Sequence, residues 1–201
     1  LYPEKRSKQT MREAAYSFAA WFALHTGMRV GEVCAVRRRD LHKAQGYVLV
    51  CGTALEPPGG GVVRSNTTKS KKPRQVSLTE REWSRVYGFM EQQDGFSDAF
   101  TPDSALVSVD GSYIRPTTVS KAFSRTRDRC GLPKACTFHS LRHTHATWCL
   151  ANGVDLKTLA ARLGHANEAT TLRLYAHLMP GRDAAAAKAF DEFAESLKSG
   201  V

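Results

Sequence analysis

The chain has 201 residues, 42% of them hydrophobic, with 29 Lys and Arg against 19 Asp and Glu for a formal charge of +10. That length supports one substantial domain with its own core, and no apolar run is long enough to form a membrane-spanning helix. The charge excess favours polyanionic partners, either nucleic acid or an acidic membrane surface.

Five cysteines, Cys34, Cys51, Cys130, Cys136 and Cys149, show no CxxC spacing and read as reduced thiols of a cytoplasmic protein. The first residue is leucine, so the chain reads as a fragment of a longer protein. In chain order, residues 1–10 are polar and read as a linker. Met11, Ala14, Ala15, Phe18 and Phe22 then recur at helical spacing, and Gly27 stops that helix. A short helix is predicted from near Gly31, with Val33, Cys34 and Val36 apolar, ending in Arg37-Arg38-Arg39. Residues 47–51 have strand composition. Pro57-Pro58-Gly59-Gly60-Gly61 is a turn, after which Val62-Val63 and residues 75–78 bracket a Lys-rich segment. One small antiparallel sheet, with the lysines on its hairpin, is the simplest arrangement.

Residues 80–90 are helical, with Trp83, Val86 and Tyr87 as candidate core, and Asp110-Gly111 marks a tight turn. Thr117 or Thr118 can cap a helix that Gly131 ends, with Val119, Ala122 and Phe123 on one face. Residues 138–151 form the next helix, its core side marked by Leu141 and Trp148. Asp155 caps a helix over 156–163, closed by Gly164. Another short helix runs from Asn167 or Glu168 to about Tyr175. After Pro180-Gly181 comes an amphipathic helix with Ala186, Phe190, Phe193 and Leu197 on one stripe. The predicted fold is mostly α with a small antiparallel β-sheet.

The residues with chemistry are scattered. Arg29 stands in Thr26-Gly27-Met28-Arg29-Val30-Gly31-Glu32, and His139, Arg142 and His143 lie at i, i+3 and i+4, on one helical face. Leu163-Gly164-His165 and Tyr175 follow. Taken singly, Arg29 reads as a surface arginine paired with Glu32, and Tyr175 as a half-buried aromatic. Taken together they suit phosphodiester cleavage by a side-chain hydroxyl. Two guanidiniums, Arg29 and Arg142, can stabilise charge on the non-bridging oxygens. A tyrosine has a pKa of about 10, so a base such as His139 and a positive field must activate it. The departing sugar oxygen needs a proton, which a lysine on a hairpin can supply. His165 can donate to a phosphate oxygen. No metal or other cofactor is required. Arg37, Arg38, Arg39, Lys71, Lys72, Arg74, Lys121 and Arg125, with Arg127 and Arg129, make a candidate phosphate-binding surface.

These strings resemble the tyrosine recombinase (phage integrase) family over nearly the whole chain. The first resembles its T-G-x-R-x-x-E box, the second its H-x-L-R-H, followed by L-G-H and the tyrosine. The resemblance implies a tyrosine recombinase catalytic-domain architecture over residues 11–180. It implies that Arg29 and Arg142 clamp the scissile phosphate, with His139 and His165 assisting. Tyr175 would then attack to leave a 3′-phosphotyrosyl link and a free 5′-hydroxyl. Glu32 would support the site, as would His143. The family's lysine precedes an Arg-x-hydrophobic-x-Leu strand, here residues 74–78. Counting back lands on Lys69, with Lys71 and Lys72 as rivals. Double-stranded DNA is the implied partner, bound by a homo-oligomer (a tetramer on DNA, a monomer as an isolated domain). An N-terminal DNA-binding domain would precede residue 1, and residues 181–201 resemble the helix that members dock onto a neighbouring subunit. The location implied is the nucleoid of the cytoplasm. Three rivals stay open: a type IB topoisomerase, a basic transcription regulator with a helix-turn-helix over 155–175, and a metal hydrolase using His139, His143, His145 and His165.

Overall fold

The computed structural model describes residues 7–68, 72–165, 169, 173, 187, 188, 190–192 and 195. Helix α1 (Lys8–Thr26) begins earlier than the polar composition of residues 8–10 suggests. Ser7 is the reason, because its side chain accepts from the Thr10 backbone N–H and caps the first turn. Met11, Ala15, Phe18, Ala19 and Phe22 are buried along one face. Phe18 stacks on Phe89 of α3 (Glu80–Asp94), with ring centroids 4.1 Å apart. Each such buried phenylalanine contributes about 1.5–3 kcal/mol through the hydrophobic effect. Thr79 and Glu82 cap α3 reciprocally.

Helix α1 packs against α2 (Val30–Ala35), α4 (Pro116–Arg129) and α5 (Phe138–Ala151) as well as α3. Pro116, at the first position of α4, supplies its backbone angle, and Glu56 accepts from both the Thr117 N–H and hydroxyl. The expected threonine cap is therefore replaced by a carboxylate from a remote loop. Arg127 donates to the carbonyls of Lys134 and Cys136 and so closes the loop that leads into α5. Helix α6 (Leu156–Leu163) has the predicted ends: the Asp155 side chain accepts from Thr158, and Gly164 adopts φ 66°. Leu159 and Leu163 of α6 form a second small core with Ala146 and Leu150 of α5.

The β structure differs from a single hairpin. β1 (Leu41–His42), β2 (Tyr47–Val50) and β5 (Arg74–Ser77) make one antiparallel sheet in the order β1-β2-β5. β3 (Thr53–Leu55) pairs instead with β4 (Val63–Ser65), in a separate ladder. The Lys-rich segment thus runs from one ladder to the other. β3 lies on α2, where a Cβ on Gly31 would meet the Thr53 hydroxyl at 2.6 Å. That packing draws the hairpin 53–65 away from β2. Around Asp110-Gly111 the turn forms, with Gly111 at φ 87°, but no strands flank it.

Trp148, expected in the core, is 58% exposed. Leu141 packs against the main core as expected. Ala169 and Arg173 have helical backbone, as do residues 187, 188, 190–192 and 195. Phe190 is exposed, and the rest of both predicted helices, Tyr175 included, lies outside the described residues.

Candidate active site

Gly27 organises the centre. It ends α1 in the left-handed conformation at φ 68°, where its own N–H closes on the Ala23 carbonyl. A Cβ there would come within 2.7 Å of Leu163 and 2.8 Å of His145, so α5 and α6 both close on this turn. The Gly27 carbonyl accepts from Arg142 Nη1 at 2.7 Å. Two residues on, Arg29 caps α2: its backbone N–H donates to Glu32 Oε2 at 2.9 Å, and its Nη1 to Glu32 Oε1 at 3.1 Å. The fold therefore anchors both predicted phosphate-binding arginines at one turn. Arg142 is buried, and the Arg29 side chain is a quarter exposed at 25%.

His165 follows the Gly164 cap, with its N–H on the Ala160 carbonyl at 3.0 Å. Burial pushes its imidazole down to about 4. The charges of Arg142, Arg29 and Arg74, and then His143, act in the same direction. That coupling places His165 in the field of both arginines, as a neutral ring at neutral pH. His139 and His143 lie edge to face on α5, with centroids 4.7 Å apart and His139 exposed. The α5 face thus presents His139, Arg142 and His143 as the spacing predicts. Lys69, Lys71 and Tyr175 lie outside the described residues, and Lys72 is exposed.

Glu32, 1% exposed, accepts from two arginines. Arg74 reaches it with two parallel bonds, Nη1 to Oε1 at 3.0 Å and Nη2 to Oε2 at 2.8 Å. Burial raises the carboxyl, but the bonds and charge of Arg74, joined by Arg29, outweigh it and hold Glu32 below the usual carboxylate range. Arg74 was grouped with the phosphate-binding cations on charge alone, whereas its side chain is 8% exposed and committed to Glu32. Arg37 and Arg38 are likewise committed. Arg37 forks onto Asp40, and Arg38 bonds Asp94 and Gln93 and covers the Phe100 ring. Arg39 pairs with Asp103 at the surface. Lys121, Arg125 and Arg129 are exposed on α4, while Arg127 is partly buried on the loop carbonyls.

Two residues that the motifs did not single out stiffen this centre. His145 Nδ1 lies 2.8 Å from the Leu24 carbonyl, and Arg162 Nε donates to His145 Nε2 at 3.0 Å. Nδ1 therefore carries the proton, both ring nitrogens are engaged, and neither is open to a metal. Arg162 also donates to the carbonyls of Ser77 and His25, tying α6 to β5 and α1. In the sequence, His145 stands only as a candidate metal ligand. Arg162 carries no signal there.

Burial, followed by the Arg162 charge, lowers His145 to about 4 from its ordinary 6.5. Folding thus favours the neutral ring, so its contribution is complete above about pH 6.5 and lost as pH falls through about 4. Urea titrations should show about 2 kcal/mol lost between pH 6.5 and 4.5 for one histidine held this low. His145→Gln should remove its share of that slope and leave the share of His165, which is also held at about 4. Equal slopes in both proteins would remove His145 from the explanation.

The phage integrase family profile matches residues 3–182. Tyrosine recombinase XerC of Nitrobacter winogradskyi is 29% identical over 147 residues, covering 73% of this chain and 40% of that protein. The integrase of Staphylococcus phage L54a is 24% identical over 164 residues, covering 79% and 46%. The chain spans less than half the length of the curated relatives it matches. Among solved structures, the Tn1549 transposon integrase in complex with transposon right end DNA shares the fold at TM-score 0.70 and 22% identity, over 94% of this chain and 67% of that one. XerA recombinase superposes at TM-score 0.60 and 25% identity, over 95% and 65%. The mostly helical fold with a small antiparallel sheet is thus that of the tyrosine recombinases, and the chain belongs to the phage integrase family.

Proposed function

We propose that this chain is the catalytic unit of a site-specific DNA recombinase or integrase, cleaving and rejoining duplex DNA through Tyr175. The phenol oxygen attacks the scissile phosphorus, and the bond from phosphorus to the deoxyribose 5′ oxygen breaks. The phenol proton passes to His139. The departing oxygen takes a proton from Lys69, or from Lys71 or Lys72 in its place. A 3′-phosphotyrosyl link and a 5′-hydroxyl result, and attack by another 5′-hydroxyl reverses the step. The link conserves the bond energy, so no ATP enters the balance, and the guanidiniums of Arg29 and Arg142 take the charge-stabilising part that a metal plays elsewhere. Arg29 and Arg142 face the non-bridging oxygens, where charge-assisted bonds act most strongly on the transition state. His165 donates a hydrogen bond there as a neutral ring.

The observation that carries this reading is the anchoring of Arg142 on Gly27, beside Arg29, with His165 in the field of both. The recombinase and integrase relatives favour it over a relaxing topoisomerase or a non-enzymatic regulator. DNA in the related structures supports a duplex partner. On DNA the chain would act as a homo-oligomer within the nucleoid. The test is incubation with a nicked suicide duplex, denaturing electrophoresis and peptide mapping of the adduct. An adduct at Tyr175 is expected. Duplex retention with no covalent species would leave only a binding protein.

Salt sorts the cations. Duplex affinity should fall steeply with salt, each phosphate contact adding about 0.9 to the logarithmic slope. Lys121→Ala and Arg125→Ala should each lower that slope by about 1. Arg38→Ala should leave the slope unchanged and cost stability instead, because its partners are Asp94 and Gln93. A reduced slope for Arg38→Ala would return it to the DNA surface.

A further inference from the structure

The bidentate clasp between Arg74 and Glu32 is more than an ion pair that neutralises a buried carboxylate. Arg74 also donates from Nε to the Arg162 carbonyl at 2.8 Å, two residues before Gly164. Its guanidinium lies against Gly164 itself. A Cβ there would meet Arg74 Nη1 at 2.8 Å and Cζ at 3.0 Å. All three donor nitrogens of one planar fork are thus in use. Two hold the carboxylate that fixes the Arg29 backbone and side chain, and the third holds the chain entering His165. Helices α2 and α6 carry these two groups, and β5 bridges them.

We infer that Arg74 is a positioning residue for strand cleavage, setting Arg29 and His165 in register through Glu32 and the carbonyl of Arg162. This rests on the proposed function, since register matters only if both groups meet one phosphate. A displacement of about 1 Å at such a centre costs on the order of 100-fold in rate. Lysine cannot replace the fork, because an ammonium is a point charge and cannot make two parallel bonds to one carboxylate and reach a third acceptor.

The test compares wild type, Arg74→Lys and the pair Glu32→Gln/Arg74→Met, the last removing both buried charges together. Each is measured for folding by circular dichroism, for duplex Kd and its salt slope, and for single-turnover cleavage of a nicked suicide substrate. Duplex Kd within about threefold of wild type and an unchanged salt slope are expected, because all three Arg74 donor nitrogens are committed to Glu32 and the Arg162 carbonyl. Cleavage should fall at least about tenfold in Arg74→Lys and about 100-fold in the pair. Gly164→Ala, which pushes on the guanidinium from the other side, should reproduce the cleavage loss. Cleavage within twofold of wild type in both Arg74 variants overturns the inference. So does a loss matched by weaker binding, which makes Arg74 a DNA contact, or unfolding of both, which leaves it a stability role alone. If wild type itself forms no adduct, the function fails rather than the role of Arg74.

Discussion

Tyr175→Phe should hold duplex DNA with unchanged affinity and never become covalently attached to it. The substitution removes one oxygen and keeps the ring, so any packing of the side chain is retained while the nucleophile is lost. With Tyr175 as the proposed nucleophile, no partial substitute remains, and adduct formation should fall on the order of 10⁴-fold or more, below detection on a denaturing gel. Three of the four tyrosines of the described part are engaged by neighbouring side chains. Tyr16 packs against the main core, Tyr47 lies against His42 with ring centroids 4.9 Å apart, and Tyr87 lies against Trp83 at 6.1 Å. The check is the suicide-substrate gel with a labelled strand, run beside wild type. A shifted band from the Phe variant would move the nucleophile elsewhere in the chain.

Arg142→Lys should lose about 10²- to 10³-fold in single-turnover cleavage, the loss expected when one directed donor to a developing oxyanion is removed. Arg142 bonds the Gly27 carbonyl with one nitrogen, and its planar fork carries further donors beyond that anchor. A lysine ammonium can take the anchor or the phosphate, but not both in the same geometry. Duplex affinity should change little, because one cation replaces another and the count of phosphate charges is preserved. The measurement is the ratio of cleavage rate to Kd for the variant against wild type. A variant that cleaves at near wild-type rate would show that charge alone suffices at this position.

Much of the local structure around the candidate site was readable as residue strings because its parts are local. Helix α5 begins and ends where periodicity placed it, and α6 lies between an Asp155 cap and a left-handed Gly164. Caps and glycine stops depend on a few neighbouring residues, whose backbone preferences travel with the sequence. The Gly27 turn, the shared face of His139, Arg142 and His143, and the family resemblance were legible for the same reason. The start of α1 was misjudged because Lys8, Gln9 and Thr10 look like linker until the Ser7 cap is seen.

The sequence by itself determined which groups could do chemistry, the order in which they occur and the family to which the strings belong. The tertiary structure decided which cations stay exposed and which are bound inside. Arg74 and Glu32 stand 42 residues apart, and Arg38 and Asp94 stand 56 apart, so no local pattern could pair them. It also decided that β4 joins β3 rather than β5, and that His145 is locked between Leu24 and Arg162. A guanidinium binds whatever carboxylate or carbonyl the folded chain brings within about 3 Å, and that distance is set by packing between elements remote in sequence.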